Sequence, residues 1–262
     1  MRMIIRLLLA MSLAVSCSVK EDRTACPCLL RLEFGGVPQE DQGKRLLLSV
    51  NRGGECIIRD TLSPAREGGF YELEVPKDEL YVNLWSEEAM EYVDDGKLKI
   101  PLGDECPAVK MFSSAIDTRY CEFRQIDVEL SKNYCLLTVS FVGDSGGLGK
   151  YLAGVDGRVD GYSPDGSPSE GEFFHFIQKP GNGSGNFTLM LPRQRDASLK
   201  LDIFGDDGLL KSFSLGNYLL ESGYDWTAKD LRDATVLVDF AGTQIRVEVG
   251  GWDHSYDFDI VF

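Results

Sequence analysis

Seven cysteines, two histidines and one serine motif are the residues of this 262-residue chain that offer obvious chemistry. The serine motif, residues 143–147 (GDSGG), fits the G-x-S-x-G pattern of a nucleophile elbow and follows an apolar run typical of a strand. A nucleophile elbow also needs a helix directly after the serine, and residues 148–154 (LGKYLAG) have no helical pattern. The motif therefore indicates a flexible hairpin loop. Because no set of nucleophile, base and acid converges elsewhere, we expect no enzymatic activity and no small-molecule substrate.

Metal binding is poorly supported as well. The two histidines stand in an aromatic strand pattern (His175) and in a surface turn (His254). Cys26 and Cys28 are separated by a single residue, which is closer than zinc ligands are usually spaced. The acidic stretch 156–165 would need oxygen ligands at alternate positions to hold calcium, and an arginine interrupts them, so solvated turns are expected there. We expect no metal and no cofactor.

The first cysteine, Cys17, stands where an exported protein receives a lipid. Residues 1–16 combine a positive start at Arg2 and Arg6 with a short apolar run and small residues, as in a secretory signal peptide. The run is too short to cross a bilayer, which needs about 20 apolar residues. The segment resembles a bacterial lipobox, although Ala14 stands where leucine is usual. We therefore expect lipid on Cys17; an ordinary signal peptide, cut without acylation, is the alternative.

Residues 17–27 are predicted to be a lipidated tether. Within it, residues 20–22 (KED) resemble the Lys-acid-acid signal that sends lipoproteins of some Gram-negative bacteria to the cell surface. A solvated tether would explain the same residues. The predicted location is the outer membrane, lipid-anchored and exposed at the cell surface.

The charge balance excludes two classes of partner. The chain carries 42 acidic and 27 basic residues, a formal net charge of -15. Nucleic-acid binding needs a basic face, and so does electrostatic adhesion to an anionic membrane. Attachment to a membrane would therefore depend on the lipid.

The six remaining cysteines leave two possibilities open. Export would bring them into an oxidising compartment, where disulfides form. Burial as small apolar residues within strands is the alternative. The sequence does not choose a pairing among Cys26, Cys28, Cys56, Cys106, Cys121 and Cys135.

The elements that position these residues are predicted to be short strands. Residues 28–34 alternate apolar and charged side chains, as in a half-buried strand. Similar short runs recur at regular spacing and are bounded by Gly, Pro, Asn or Asp. The best helix candidate is residues 87–93. The pattern predicts an all-β chain with two tandem β-sandwich domains, residues 28–124 and 125–262.

Three expectations concern the second domain. Residues 120–130 and 134–142 are predicted to form a hairpin that opens it. Residues 160–172 and 178–185, rich in Gly, Ser and Pro, are predicted to be exposed loops. The last strand places four apolar residues on one face, and it either completes its own sheet or pairs with the open edge of a neighbour. These four residues are Tyr256, Phe258, Ile260 and Phe262.

Three segments resemble the FimB-like fimbrial anchor family of type V pili. They are residues 17–28 (CSVKEDRTACPC), residues 126–142 (IDVELSKNYCLLTVSFV) and the Gly-Gly-Trp at 250–252 before the last strand. The resemblance implies two transthyretin-like β-sandwiches in a non-enzymatic outer-membrane lipoprotein. Such a protein anchors the base of a fimbria and caps its assembly, and its partners are the fimbrial stalk subunits. Subunits of such a fimbria would join by strand addition, and the terminal strand, residues 256–262, is our candidate for the joining segment.

Two alternative functions remain open from the sequence. Tip or stalk fimbrillins share the architecture of the anchor family. A surface glycan-binding lipoprotein would use exposed, coplanar aromatic rings, and Trp85, Trp226 and Trp252 are its candidates. A structural role would instead bury these rings.

Overall fold

The computed structural model describes residues 26–142, 152–177, 186–239, 244–249 and 255–259. The first part of the chain forms β1 (Cys28–Glu33), β2 (Leu46–Arg52), β3 (Glu55–Leu62), β4 (Phe70–Val75), β5 (Glu79–Ser86), a 3-10 helix (Glu87–Tyr92), β6 (Val93–Asp94), β7 (Lys97–Lys99), β8 (Lys110–Asp117), β9 (Phe123–Asp127) and β10 (Ser131–Lys132). The second part forms β11 (Tyr134–Val142), β12 (Leu152–Tyr162), β13 (Pro168–Ile177), β14 (Asn186–Pro192), β15 (Lys200–Gly205), β16 (Gly208–Phe213), α1 (Leu215–Glu221), β17 (Ala234–Asp239), β18 (Gln244–Val249) and β19 (Ser255–Asp259). The predicted all-β class is confirmed.

The first sandwich consists of two sheets around one apolar core. Sheet A has the strand order β4-β1-β9, and sheet B has the order β10-β8-β5-β2-β3. The alternation predicted for β1 is confirmed, because Leu30 and Leu32 are fully buried between the sheets while Arg31 faces outwards. On sheet B, Leu48 and Val82 close the same core.

The hairpin predicted between residues 120–130 and 134–142 is wrong. Strand β9 instead runs parallel to β1, with Leu30 opposite Arg124, and it completes sheet A. Strand β11 belongs to another sheet, where it pairs with β14 and β17. Alternating apolar residues predict which face of a strand is buried, but they do not predict which strand lies beside it.

The second sandwich packs sheet C against sheet D. Sheet C has the order β16-β15-β12-β7-β6, with β13 paired to the other edge of β12, and sheet D has the order β14-β11-β17-β18-β19. Their inner faces share one core, in which Leu137 and Val236 of sheet D pack in the same cluster as Val155 and Leu201 of sheet C. These sheets and cores agree with the predicted sandwich architecture.

Strands β12 and β13 occupy much of the region predicted to be loops and turns. Residues 156–162 continue β12, and β13 begins at Pro168. The glycines that suggested loops are required by close packing. A Cβ at Gly161 would overlap the carbonyl oxygen of Leu98, and a Cβ at Gly171 would overlap the Asp160 carboxylate. The loop prediction was therefore wrong for most of residues 160–172, while residues 178–185 lie outside the described residues.

The two sandwiches are joined by a buried seam. Residues 46–51 of β2 are buried on both faces of sheet B. Strands β6 and β7 follow β5 in the chain but pair into sheet C, where Leu98 lies opposite Tyr162 of β12. From sheet B, the Asn83 side-chain amide donates a hydrogen bond to the carbonyl of Pro164 at 2.7 Å. The boundary between residues 124 and 125 remains a prediction.

The loop between β1 and β2 is held by a buried carboxylate. The Asp41 side chain is only 3% exposed and contacts the ammonium groups of Lys110 at 2.5 Å and Lys44 at 3.1 Å. Burial opposes ionisation of Asp41, but hydrogen bonds from both lysines outweigh it, so the pKa of Asp41 lies below its usual range.

Asp41→Asn should lower the free energy of unfolding at pH 7 by about 2 kcal/mol, because it removes two charge-assisted hydrogen bonds. A carboxyl whose pKa is lower in the folded state stabilises the protein above its unfolded pKa of about 3.9, and that contribution is lost as the pH falls further. In urea unfolding at pH 7, 5 and 3, the free energy of unfolding should therefore differ between variant and wild type by the same amount at pH 7 and 5. The difference should be smaller at pH 3. The exposed Asp206, changed to Asn, is the control and should give no comparable difference. A pH-independent difference for Asp41→Asn would contradict this account.

Candidate functional site

The terminal strand of the second sandwich forms one edge of sheet D. Strand β19 pairs antiparallel with β18, with Tyr256 opposite Val247 and Phe258 opposite Ile245. Of the two arrangements considered from the sequence, the structure therefore has the strand completing its own sheet. The other two apolar residues of the predicted interaction strand, Ile260 and Phe262, lie outside the described residues.

The two edges of sheet D differ. At the β14 edge, the amide of Cys106 donates to the Met190 carbonyl at 3.2 Å, and the Met190 amide donates to the Glu105 carboxylate. These contacts occupy both backbone groups of Met190, in the middle of the β14 edge. Among the described strands, β19 pairs with β18 alone. An edge strand of this kind offers main-chain donors and acceptors to an added strand.

A rigid template supports this edge. Strand β17 lies in the middle of sheet D, parallel to β11 and antiparallel to β18, and its Val236 and Val238 are buried in the core. Because β18 is registered on β17 over six residue pairs, the position of β19 is fixed by the core rather than by a loop.

Arg193 fixes the segment that leads into β17, a role that no sequence motif indicates. Its guanidinium donates to the carbonyl of Ala228 at 2.8 Å, to the carbonyls of Trp226 and Lys229, and to the Asn133 side chain at 3.0 Å. Four acceptors around one arginine hold residues 226–229 against the start of β11. Such long-range hydrogen bonds join residues that are distant in sequence, so no local motif reveals them.

A second set of contacts holds the same segment. The Asp233 carboxylate accepts a hydrogen bond from the amide of Leu136 at 2.9 Å and contacts the Lys132 ammonium at 2.5 Å. The Asp230 carboxylate accepts from the Lys132 amide at 2.7 Å. Strand β17 is thus aligned next to β11 by side chains as well as by the sheet ladder.

The described residues among those weighed for catalysis and metal binding do not form one cluster. His175 lies on β13, with its Nδ1 2.9 Å from the Gly103 carbonyl oxygen. Asp156 and Arg158 lie within strand β12 rather than in a turn. Among the described residues, no group of three or more His, Cys, Asp or Glu side chains is placed to hold a metal ion. The motif at 143–147, His254 and the lipidation candidate Cys17 lie outside the described residues.

The cysteines that the structure describes are free thiols. Cys28, Cys106 and Cys135 are completely buried, as the alternative of apolar burial predicts. Burial raises the pKa of Cys135 to about 12, and it also raises the pKa of Cys106. These buried thiols are poor nucleophiles, since the thiolate is the reactive form.

The two described tryptophans considered for glycan binding do not form an exposed platform. Trp85 and Trp226 are buried, with 0% and 5% exposure, and Trp252 lies outside the described residues. A partly exposed aromatic cluster does occur on the outer face of sheet C, where Phe174 meets Phe176 with ring centroids 4.7 Å apart at 90°. Phe204 meets both rings edge-on. Rings in this arrangement do not present the coplanar surface that stacks on a sugar.

Across the described residues, no helix is long and apolar enough to span a membrane.

Comparison with known proteins identifies relatives at the level of fold. No protein-family model matches the sequence, and no curated protein matches it significantly. Among solved structures, a candidate polysaccharide-binding protein from Bacteroides thetaiotaomicron aligns with a TM-score of 0.60 and 12% identity, over 88% of this chain and 98% of the other. A candidate adhesin from Bacteroides ovatus aligns with a TM-score of 0.58 and 15% identity, over 91% and 97% of the two chains.

A third structure is the fimbrial anchor protein Mfa2 from Porphyromonas gingivalis. It aligns with a TM-score of 0.59 and 12% identity, and the alignment covers 88% of this chain and all of the other. The resemblance seen in the sequence is thus confirmed as a resemblance of fold. The chain has the all-β sandwich fold that is shared by a fimbrial anchor and adhesin-like proteins.

Proposed function

We propose that this protein is a non-enzymatic lipoprotein of the cell surface that anchors the base of a fimbria to the outer membrane. The observation that carries the proposal is the fold, shared with a fimbrial anchor protein over 88% of this chain. The lipobox-like segment before Cys17 supports the membrane end of the proposal. A tip or stalk subunit is the alternative role within the same assembly.

At the membrane end, lipid on Cys17 would hold the chain and residues 18–27 would act as the tether. The tether leads directly into β1, which lies between β4 and β9 in the middle of sheet A. Backbone pairing on both sides of β1 resists a pull on the tether, since the strand cannot peel away from a free edge. The point of attachment is therefore well suited to bear load.

At the fimbrial end, the added strand would pair with sheet D at β19. Main-chain hydrogen bonds give such a junction its strength, and alternate side chains set its register. One added strand occupies the open edge, so a subunit bound there prevents further addition at the same edge. This is how the protein would cap assembly as well as hold the stalk subunit.

Load applied at sheet D would reach the tether through the buried seam. The β6–β7 hairpin belongs to sheet C but continues from β5 of sheet B. Side-chain bonds reinforce this connection, including that from the Ser113 hydroxyl to the Asp165 carbonyl at 3.1 Å. We infer that the two sandwiches transmit force as a unit.

Cys17→Ser tests the membrane end of this proposal. In cells that assemble the fimbria, the wild-type N-terminal peptide should carry acyl chains by mass spectrometry, and the protein should fractionate with the outer membrane. The variant should be unacylated and its fimbriae should be shed into the medium. The reason is that each buried methylene contributes about 0.8 kcal/mol, whereas the acidic chain has no electrostatic attraction to the membrane.

The matched control is Cys26→Ser, which removes an exposed thiol from the same short tether. It should leave acylation and fimbrial retention unchanged. An unacylated wild-type Cys17, or full retention of fimbriae by Cys17→Ser, would refute the anchor proposal. Detection of the protein along the shaft rather than at the base would favour the stalk alternative.

A further inference from the structure

Two of the cysteines meet where the tether enters the first sandwich. The Leu29 amide donates to the Glu122 carbonyl at 2.9 Å, and Leu29 lies opposite Phe123 in the parallel pair of β1 and β9. Continued for two residues before β9, this register would place Cys28 and Cys121 one strand spacing and one residue apart, a Cα separation of about 6 Å. Disulfides bridge Cα separations below about 7 Å, so a pair at this spacing is within range.

The side chains of the two residues share one environment. Cys28 is fully buried in the core of the first sandwich, and the half-buried Cys121 packs against the same apolar cluster. The nearby Cys121 thiol adds to burial in raising the pKa of Cys28, which is consistent with their proximity. Cys26, by contrast, is exposed.

The other close pair of cysteines does not meet the same requirement. Cys106 bonds to the outer edge of β14, and Cys135 lies on β11, opposite Leu191, on the inner side of the same strand. Strand β14 therefore separates them by two strand spacings, about 10 Å between Cα atoms. This exceeds the separation that a disulfide bridges.

We propose that Cys28 and Cys121 form a disulfide in the exported protein. One thiolate attacks a sulfur of a donor disulfide, such as that of a thiol-disulfide oxidase, and displaces one donor thiolate. The second cysteine thiolate then attacks the mixed disulfide and displaces the other. The Cys28–Cys121 bond forms, both cysteine thiols give up their protons, and the donor is reduced to its dithiol.

This bond would lock the first residue of β1 to the segment before β9. In the proposed function, a pull on the tether acts at that residue, and a covalent link there would prevent β1 from being drawn out of sheet A. The mechanical role rests on the proposed function, whereas formation of the bond in the oxidised, folded chain does not. The purified protein can therefore test the bond independently of anchoring.

Peptide mapping under non-reducing conditions tests the assignment. The full chain is purified from the cell envelope, and a second sample is equilibrated with oxidised and reduced glutathione. Free thiols are blocked with N-ethylmaleimide in denaturant before trypsin digestion. The expected product links residues 24–31 (TACPCLLR) to residues 120–124 (YCEFR), and fragmentation should show the maleimide on Cys26. Dithiothreitol should lower the melting temperature by about 5–10 °C in the wild type.

Three variants make the result decisive. Cys26→Ser should keep the linked peptide, whereas Cys121→Ser should lose it and should show no response of its melting temperature to dithiothreitol. Cys56→Ser, a thiol on β3, is the matched control and should behave as the wild type. A link through Cys26, or six blocked thiols in the glutathione sample, would overturn the proposal. If the linked peptide appears in the glutathione sample but not in the sample from the cell envelope, the two cysteines are close enough to bond, but the bond does not form in the exported protein. Acylation of Cys17 is measured separately, so that failure of the anchor proposal is distinguished from failure of the disulfide.

Discussion

Trp85→Ala should lower the free energy of unfolding by about 3–5 kcal/mol, the range for removal of a large aromatic side chain from a packed core. Trp85 lies on β5 with none of its surface exposed. Its indole nitrogen donates to the Ser49 hydroxyl at 3.2 Å, and its ring centroid lies 6.4 Å from that of Tyr162. The variant would leave a cavity in the seam between the sandwiches and an unpaired buried hydroxyl.

The effect should be large because Trp85 belongs to both halves of the molecule. Its backbone is part of sheet B, in register with Leu47 and Met111, but its side chain packs in the core of the second sandwich. Tyr162, its neighbour from sheet C, is itself fixed by a hydrogen bond to the Asn133 carbonyl. Loss of the indole therefore weakens the connection between sheets as well as one local contact.

Urea unfolding followed by circular dichroism measures this prediction. Trp85→Phe should recover most of the lost unfolding free energy, because phenylalanine fills much of the same space. It should remain about 1 kcal/mol less stable than the wild type, because it lacks the hydrogen bond to Ser49. Tyr81→Ala is the matched control, since Tyr81 lies on the same strand but is 37% exposed. If Trp85→Ala were no more destabilising than Tyr81→Ala, the seam would not carry the stability assigned to it here.

The sequence predicted individual strands well, because burial of alternate residues is a local property. Strand β1 ends one residue before the end of the predicted run 28–34, and the helix candidate at 87–93 is the 3-10 helix Glu87–Tyr92. Helix α1 was missed, since its seven residues follow directly on a β-rich stretch. A single short helical turn leaves little periodic signal.

Pairing between distant strands was beyond reach from the sequence. Strand β1 pairs with β9, and β7 pairs with β12 across more than sixty residues of chain. Neither pairing produces a local sequence pattern. Glycines misled in the same way. The absent side chain of Gly161 makes room for Leu98, which is distant in sequence, and that of Gly171 makes room for Asp160 on the neighbouring strand. Composition alone does not distinguish a glycine needed for such packing from a glycine in a turn.

The role of the last strand in subunit contact stays a prediction, and the structure adds its pairing in the sheet. The sequence marked the last strand as a place of subunit contact and left open whether it stays in its sheet. The structure registers β19 on β18, so a partner either adds to its outer edge or displaces it. Addition needs β19 itself, whereas displacement would use the edge of β18 that β19 covers, so removal of β19 distinguishes the two routes.

Deletion of residues 257–262 should abolish retention of fimbriae at the cell surface. It removes three of the five residues of β19, leaving Ser255 and Tyr256, which are too few to form a stable edge. A partner would lose the main-chain groups that strand addition requires, because these groups, rather than any single side chain, provide the strength of the junction. Fimbriae in the medium and on the cells are measured by immunoblot, with acylated Cys17 assayed on the same sample, so that loss of the site is distinguished from loss of the lipid.

The matched control is the double variant Asp257→Ala and Asp259→Ala, which keeps the backbone of β19 and changes only its acidic side chains. It should retain fimbriae, since its ladder to β18 is preserved. Loss of retention in both variants would assign the contact to the carboxylates instead of the backbone. Unchanged retention after the deletion would show that the outer edge of β19 does not hold the fimbria, which would then pair with β18 or bind elsewhere. The exposed edge strands of sheet C would then be the next place to look, because β16 there presents Leu209 and Leu210, each 58% exposed.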